Sequence, residues 1–122
     1  MDSKPTALTP AQEDKMIEDA FKDLLDGYLN SNHRKKVEII ERAFRFAKEA
    51  HNGIRRRSGE PYIMHPIAVA KIVSKEIGLG STSICAALLH DVVEDTEYTV
   101  DDIEQNFGAK IAQFVEGLTK IS

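Results

Sequence analysis

The stretch ALLHDVVEDT, residues 87–96, places four side chains that can bind metals or transfer protons at the end of an apolar run. His90 and Asp91 are adjacent, and Glu94 and Asp95 follow one helical turn later. Adjacent helical residues point about 100° apart, so His90 and Asp91 converge only on an ion lying between their helix and a neighbouring one. Imidazole and carboxylate together suit Mn²⁺, Fe²⁺ or Zn²⁺. The pattern therefore indicates a divalent-metal site.

Two ligands are too few for such a site, and His65 is the natural third because Pro66 places it at the start of a helix. A simpler interpretation has His90 capping a helix end and Asp91 in solvent. Four such groups within six positions repel one another unless a cation lies among them, which favours the metal site. From these residues alone, both interpretations remain open.

A second candidate is the loop GIRRRSGEP, residues 53–61, which carries three consecutive arginines between two glycines. Arginines in such a loop are often ordinary surface charge. Glycine on both sides also lets the backbone approach a ligand closely, and the guanidinium fork matches phosphate oxygens. The loop could therefore hold an anionic substrate beside the acidic ALLHDVVEDT stretch.

The remaining histidines and the cysteine have simpler interpretations. His33 and His51 lie in polar or helix-terminal positions and are expected to be exposed or capping residues rather than ligands. Cys85 lies on an apolar helix face without a basic neighbour in sequence, which predicts a buried structural thiol.

Length and composition limit the class of protein. The chain has 122 residues, enough for one small domain with one core, and 42% of them are hydrophobic. No apolar run approaches the roughly 20 residues of a membrane span, and no secretory signal is present at the N-terminus. The net charge of −4 argues against a general nucleic-acid binder, and a single cysteine fits a reducing cytoplasm.

The elements that must position these residues have helical periodicity throughout. Thr9-Pro10-Ala11-Gln12 is a capping box for a helix over about 10–29, and Ser31-Asn32 opens a second helix that closes near His51. A third is expected over 66–77, a fourth capped by Ser81 and a fifth capped by Thr99 with Gly108 as its end, followed by a sixth. The predicted architecture is all-α with six helices.

Three blocks in order carry a resemblance to a known family: SGEPYIMHPIAVA, AALLHDVVEDTEYT and NFGAKIAQFVEGLTKIS. From about residue 35 to the C-terminus the chain resembles the hydrolase domain of the Rel/Spo alarmone enzymes, which are HD-type metal-dependent phosphohydrolases. The resemblance implies an HD-domain helical bundle. It also implies hydrolysis of guanosine 3′,5′-bis(diphosphate), or its pentaphosphate form, to GDP or GTP plus pyrophosphate in the stringent response.

The resemblance also assigns roles to residues. It makes His65, His90 and Asp91 the ligands of Mn²⁺. Glu94 and Asp95 would activate and orient the attacking water. Arg56, Arg57 and Ser58 would hold the guanine nucleotide, with Arg57 in place of the family's frequent lysine, which keeps the charge but changes the contact geometry.

The family's fourth ligand, an aspartate in a later LADRLHN-like block, has no counterpart before Ser122. Residues 1–122 are therefore expected to be a partial HD domain, with residues 1–8 disordered and the downstream helices absent. Such a fragment should bind Mn²⁺ weakly or not at all, hydrolyse alarmone poorly, and self-associate through apolar surface around Phe114, Val115 and Leu118.

Its partners would be alarmone nucleotides in the cytoplasm, without nucleic acid or membrane. Two alternatives stay open: an HD phosphohydrolase for another nucleotide, and a catalytically inactive regulatory or interaction module.

Overall fold

Six α-helices form the part of the chain that the structure, a computed structural model, describes, namely residues 8–30, 36–77 and 80–121. They are α1 (Pro10–Leu29), α2 (Val37–Ala50), α3 (Met64–Ile72), α4 (Ser81–Asp95), α5 (Val100–Phe107) and α6 (Ala109–Ile121). Within these ranges the only β-type pairing is an isolated bridge between Arg55 and Pro61. The predicted all-α architecture with six helices is confirmed.

Local capping signals placed two helix starts and one helix end correctly. Thr9 and Thr99 each accept a hydrogen bond from the backbone N–H three residues on, and the Gln12 and Asp102 side chains complete the two capping boxes. Gly108 ends α5 with φ of +94°, a conformation that side-chain-bearing residues rarely adopt.

Other boundaries differ from the sequence-based expectation. The residues Ser31-Asn32, expected to open α2, lie outside the described ranges, as does His33, and the helix is described from Val37. The third helix starts at Met64 rather than 66, because the first N–H groups of a helix need no intrahelical partner and Pro66 is tolerated within that turn. It continues through Val73–Ile77 as a π-helical turn. Ser81 is the first residue of α4 rather than its cap, which is Gly80.

The core is built around α4, which packs against α2, α3 and α6. Eight of its 15 residues are buried: Ile84, Cys85, Ala86, Ala87, Leu88, Leu89, Asp91 and Val92. Cys85 is buried, as predicted, and burial raises the pKa of its thiol to about 12. The end of α4 that carries His90 and Asp91 therefore continues directly from the hydrophobic core.

Helices α1 and α2 are joined by an ionic cluster on their outer faces. Arg45 donates two hydrogen bonds to the Glu18 carboxylate, at 2.5 and 2.8 Å. Lys48 donates to Glu18 at 2.6 Å and to Asp14 at 2.5 Å. The hydrogen bond from Arg45 is the main reason that the pKa of Glu18 falls to about 2.

Among the side chains of α6 that the structure describes, two large apolar ones remain at the surface. Phe114 is 42% exposed and Leu118, one turn later, is 37% exposed, whereas Val115 is fully buried. The exposed apolar surface of α6 is therefore smaller than predicted, because Val115 does not contribute to it. Among the described helices, none is both long and apolar enough to cross a membrane.

Candidate functional site

The last turn of α4 presents His90 and Asp91 in different ways. Asp91 points inward and is 6% exposed, while the His90 side chain is 16% exposed. Nδ1 of His90 lies 2.9 Å from the carbonyl oxygen of Ala87. A carbonyl only accepts, so Nδ1 carries a proton and Nε2 faces Oδ1 of Asp91 at 3.0 Å.

His65 reaches the same carboxylate from the first turn of α3. Its Nε2 lies 3.8 Å from Oδ2 of Asp91, although the two residues are 26 positions apart. The packing of α3 on α4 creates this contact. The structure thus brings both predicted histidine ligands to the one predicted carboxylate ligand.

Glu94 lies closer to this centre than the sequence suggested. It is four positions after His90 and three after Asp91, so it neighbours both on the helix surface. One donor atom from each of the three residues lies within 4.8 Å of the others. This geometry would allow Glu94 to act as a ligand as well as in the predicted role of handling water.

Protons and a metal ion would compete for this cluster. Burial alone would raise the pKa of Asp91, but its hydrogen bond with His90, the charges of His90 and His65, and the Tyr62 hydroxyl outweigh burial and lower the pKa. The hydrogen bond to Asp91 in turn raises the pKa of His90. A bound cation would replace the proton that His90 and Asp91 share.

The donor set fits a divalent ion of the Mn²⁺, Fe²⁺ or Zn²⁺ type. His90 has the arrangement common in metal sites, in which the other ring nitrogen donates to a backbone carbonyl. His65 fits less simply. Nη1 of Arg56 lies 3.5 Å from Nδ1 of His65, and arginine can only donate, so this contact uses the lone pair of Nδ1. For neutral His65 to bind a metal through Nε2, Nδ1 must carry the ring proton. Arg56 must then move away from Nδ1.

The arginine loop forms a tight hairpin next to His65. Arg56 donates its backbone N–H to Glu60, and Gly59, with φ of +94°, donates back to Arg56. The predicted substrate residues Arg56, Arg57 and Ser58 are all exposed along an open depression of about 600 Å³. Arg55 is different, because Glu13 of α1 accepts two hydrogen bonds from its guanidinium at 2.7 and 2.8 Å. Arg55 is therefore tied to α1, whereas Arg56 is exposed and contacts His65, and Arg57 is exposed.

Two residues beside the site were not identified as functional from the sequence. Tyr62 donates its hydroxyl to Oδ2 of Asp91 at 3.3 Å. His51 has a fully buried side chain, although a surface or capping position was expected. It does cap α2, since its Nδ1 donates to the Ala47 carbonyl, but its Nε2 points towards Oδ2 of Asp95 at 3.7 Å. The one sequence signal for Tyr62 is its place three residues before His65.

Comparisons with known proteins agree on a family. Residues 43–122 match the family model described as HD domain. The chain is 47% identical over 93 residues to a guanosine-3′,5′-bis(diphosphate) 3′-pyrophosphohydrolase of Aquifex aeolicus, covering 76% of this chain and 13% of that protein. It is 44% identical over 103 residues to the bifunctional (p)ppGpp synthase/hydrolase SpoT of Escherichia coli, covering 84% of this chain and 14% of that protein.

A solved structure of a metazoan protein supports the same grouping. That protein is described as an orthologue of SpoT that hydrolyses ppGpp, and it superposes on this chain with a TM-score of 0.63 at 32% identity. The match covers 69% of this chain and 49% of the other. The chain spans about one seventh of the length of the curated relatives it matches.

Proposed function

This chain belongs to the HD-domain family, in its Rel/Spo branch, and on that premise we propose that it is the metal-binding part of a guanosine 3′,5′-bis(diphosphate) 3′-pyrophosphohydrolase. The reaction is the addition of water to guanosine tetra- or pentaphosphate, giving GDP or GTP and pyrophosphate. The proposed metal is Mn²⁺ and the proposed location is the cytoplasm.

The observation that supports this function best is the meeting of His65 and His90 at Asp91 beside an exposed arginine hairpin. Cleavage of a pyrophosphate ester needs a nucleophilic water, a Lewis acid and neutralisation of several negative charges. The His–Asp centre carries groups suited to holding the metal, and Nη1 of Arg56 in the hairpin lies 3.5 Å from Nδ1 of His65.

Each group has a proposed role. His65, His90 and Asp91 hold Mn²⁺, which when bound supplies Lewis acidity and a water of lowered pKa. Glu94 and Asp95 accept a proton from the attacking water and orient it. Arg56 and Arg57 neutralise the phosphate charge, and Ser58 contributes a hydroxyl beside them.

In this proposal the metal site is completed by the aspartate that the Rel/Spo resemblance places in a later helix. The 122-residue chain would then bind Mn²⁺ weakly and turn over slowly. The test measures pyrophosphate release from guanosine tetraphosphate by the full-length protein and by this chain, both under saturating Mn²⁺. Equal rates would mean that the site is complete within these residues. No release by either protein would overturn the proposed function.

The role of the hairpin is tested by Arg56→Ala in the full-length protein, with Lys71→Ala as a matched control. Lys71 is a similarly exposed cation, but it pairs with Asp23 away from the hairpin. We expect kcat/KM to fall at least tenfold, about 1.4 kcal/mol, for Arg56→Ala and to stay within twofold for the control. Equal, small effects of Arg56→Ala and Lys71→Ala on kcat/KM would mean that Arg56 is an ordinary surface charge.

The alternatives differ in measurable ways. An HD phosphohydrolase for another nucleotide would release phosphate or pyrophosphate from that nucleotide in a substrate panel, but would leave the alarmone intact. An inactive regulatory or interaction module would neither retain Mn²⁺ nor hydrolyse any member of the panel.

A further inference from the structure

We infer that His51 is a positioning residue for the proposed reaction, holding the carboxylate of Asp95 through its Nε2 atom. The inference rests on the proposed function for its catalytic consequence. Its structural basis is independent of that function and begins with the burial of the imidazole at the end of α2.

The two ring nitrogens of His51 have different environments. Nδ1 donates to the carbonyl oxygen of Ala47 at 3.0 Å, which fixes the ring orientation. Nε2 is fully buried and has no hydrogen-bond partner among the residues that the structure describes. Buried polar atoms are nearly always paired, so an unpaired nitrogen here marks a position where a partner belongs.

Asp95 provides that partner. Its Oδ2 lies 3.7 Å from Nε2 of His51, about 1 Å longer than a charge-assisted hydrogen bond. The Asp95 side chain is 35% exposed, so it can move towards the ring, whereas the buried ring is fixed. A hydrogen bond between them needs one proton, carried either by Nε2 or by the carboxyl group. In both forms the Asp95 carboxyl group is held in one orientation, and with the proton on Nε2 it remains a carboxylate that can accept a proton from water.

Tyr62 connects this pair to the centre of the site. Its ring stacks on His51 with centroids 5.1 Å apart and an interplanar angle of 25°. Its hydroxyl donates to Asp91 at 3.3 Å. Asp91 and Asp95 lie one turn apart on α4, so the Tyr62 hydroxyl meets one carboxylate while Nε2 of the stacked His51 ring faces the other at 3.7 Å. His51 therefore does more than cap α2.

The first test needs no catalysis. We propose measuring the ¹⁵N resonance of His51 Nε2 in this chain, with Asp95→Asn compared with Glu97→Gln, an exposed carboxylate two positions further on. Pairing predicts that Asp95→Asn moves the resonance and Glu97→Gln leaves it in place. A resonance unchanged by Asp95→Asn would overturn the inference, whatever reaction the protein catalyses.

The second test uses three His51 variants in the full-length protein. Asn keeps a donor near Nδ1, Gln places an amide near Nε2, and Phe keeps only the ring. We expect His51→Asn and His51→Phe to lower kcat at least tenfold, with KM and Mn²⁺ affinity, measured by titration, within twofold. His51→Gln should recover part of the rate. If His51→Asn kept the wild-type kcat, His51 would be a structural cap only. Inactivity of the wild type would count against the proposed function alone.

Discussion

At the residue scale, Asp91 organises the site. His90 contacts its Oδ1, while His65 and the Tyr62 hydroxyl contact its Oδ2. Burial of this carboxyl group, which is 6% exposed, raises its pKa, but these partners outweigh burial and lower the pKa below its ordinary value. Substituting Asp91 would therefore disturb His90, His65 and Tyr62 together. Substituting one neighbouring side chain at a time can separate the roles of the individual residues.

Glu94 is the residue whose role is best separated by substitution. We expect Glu94→Gln in the full-length protein to retain Mn²⁺ while lowering kcat by about 10² to 10⁴, the usual contribution of a positioned acid–base group. Mn²⁺ titration followed by single-turnover hydrolysis checks both quantities, with Glu104→Gln on α5 as the control. Because Glu94 lies within 4.8 Å of the other donors, loss of Mn²⁺ together with activity would make it a ligand instead.

Sequence reasoning identified donors at this scale because their chemistry is visible in residue type and spacing. Residue type and spacing predict His65, His90 and Asp91 as donors, and the fold brings these three side chains together. His51 and Tyr62 were missed because a lone histidine at a helix end and a tyrosine in a loop are common surface residues. Their roles depend on packing between α2 and the loop before α3, and no local pattern encodes that packing.

At the element scale, capping residues and periodicity predict which segments are helices, but they do not predict every helix boundary. Both capping boxes were correct because they are local hydrogen-bond patterns. The π-helical turn at Val73–Ile77 was not anticipated, since the same apolar spacing fits an α-helix. The arginine hairpin was predicted as a loop, but the selective pairing of Arg55 with Glu13 depends on where α1 lies.

The contact between α1 and α2 makes stability depend on pH. The folded-state pKa of Glu18 is about 2, below its ordinary value of 4.5, so its stabilising contribution is fully present above about pH 4.5 and is lost as pH falls towards 2. We expect Glu18→Gln to be less stable than wild type at pH 6 and closer to it at pH 3. Urea unfolding at the two values measures this.

A control for this prediction lies on the same helix. Asp19 pairs with Lys15 at 2.7 Å, but both side chains are more than half exposed, so the pair should contribute little. Asp19→Asn should therefore follow the wild-type pH dependence. An equal response from Glu18→Gln and Asp19→Asn would show that the ionic cluster between α1 and α2 has no specific role in acid sensitivity.

At the scale of the whole molecule, the apolar surface of α6 is the surface through which we expect the chain to self-associate. Phe114 and Leu118 lie one turn apart and are both exposed, so they form one continuous apolar strip. We expect the chain to self-associate with increasing concentration, and Phe114→Ser with Leu118→Ser to reduce this by at least tenfold in sedimentation experiments. Ile72→Ser, at a residue 53% exposed on α3, should have little effect. Similar losses from both changes would indicate nonspecific association.

The burial of α4 also determines how this protein tolerates mutation. Its core residues and the proposed ligands His90 and Asp91 lie together within residues 84–92, so most substitutions there would damage packing or the proposed chemistry. The arginine hairpin is exposed over residues 55–60. If the hairpin binds substrate as we propose, substrate preference could change through substitutions in the hairpin while the proposed metal ligands on α4 stay the same. In a saturation mutagenesis survey, α4 would form a continuous intolerant block, and residues 56–60 would vary under selection for new substrates.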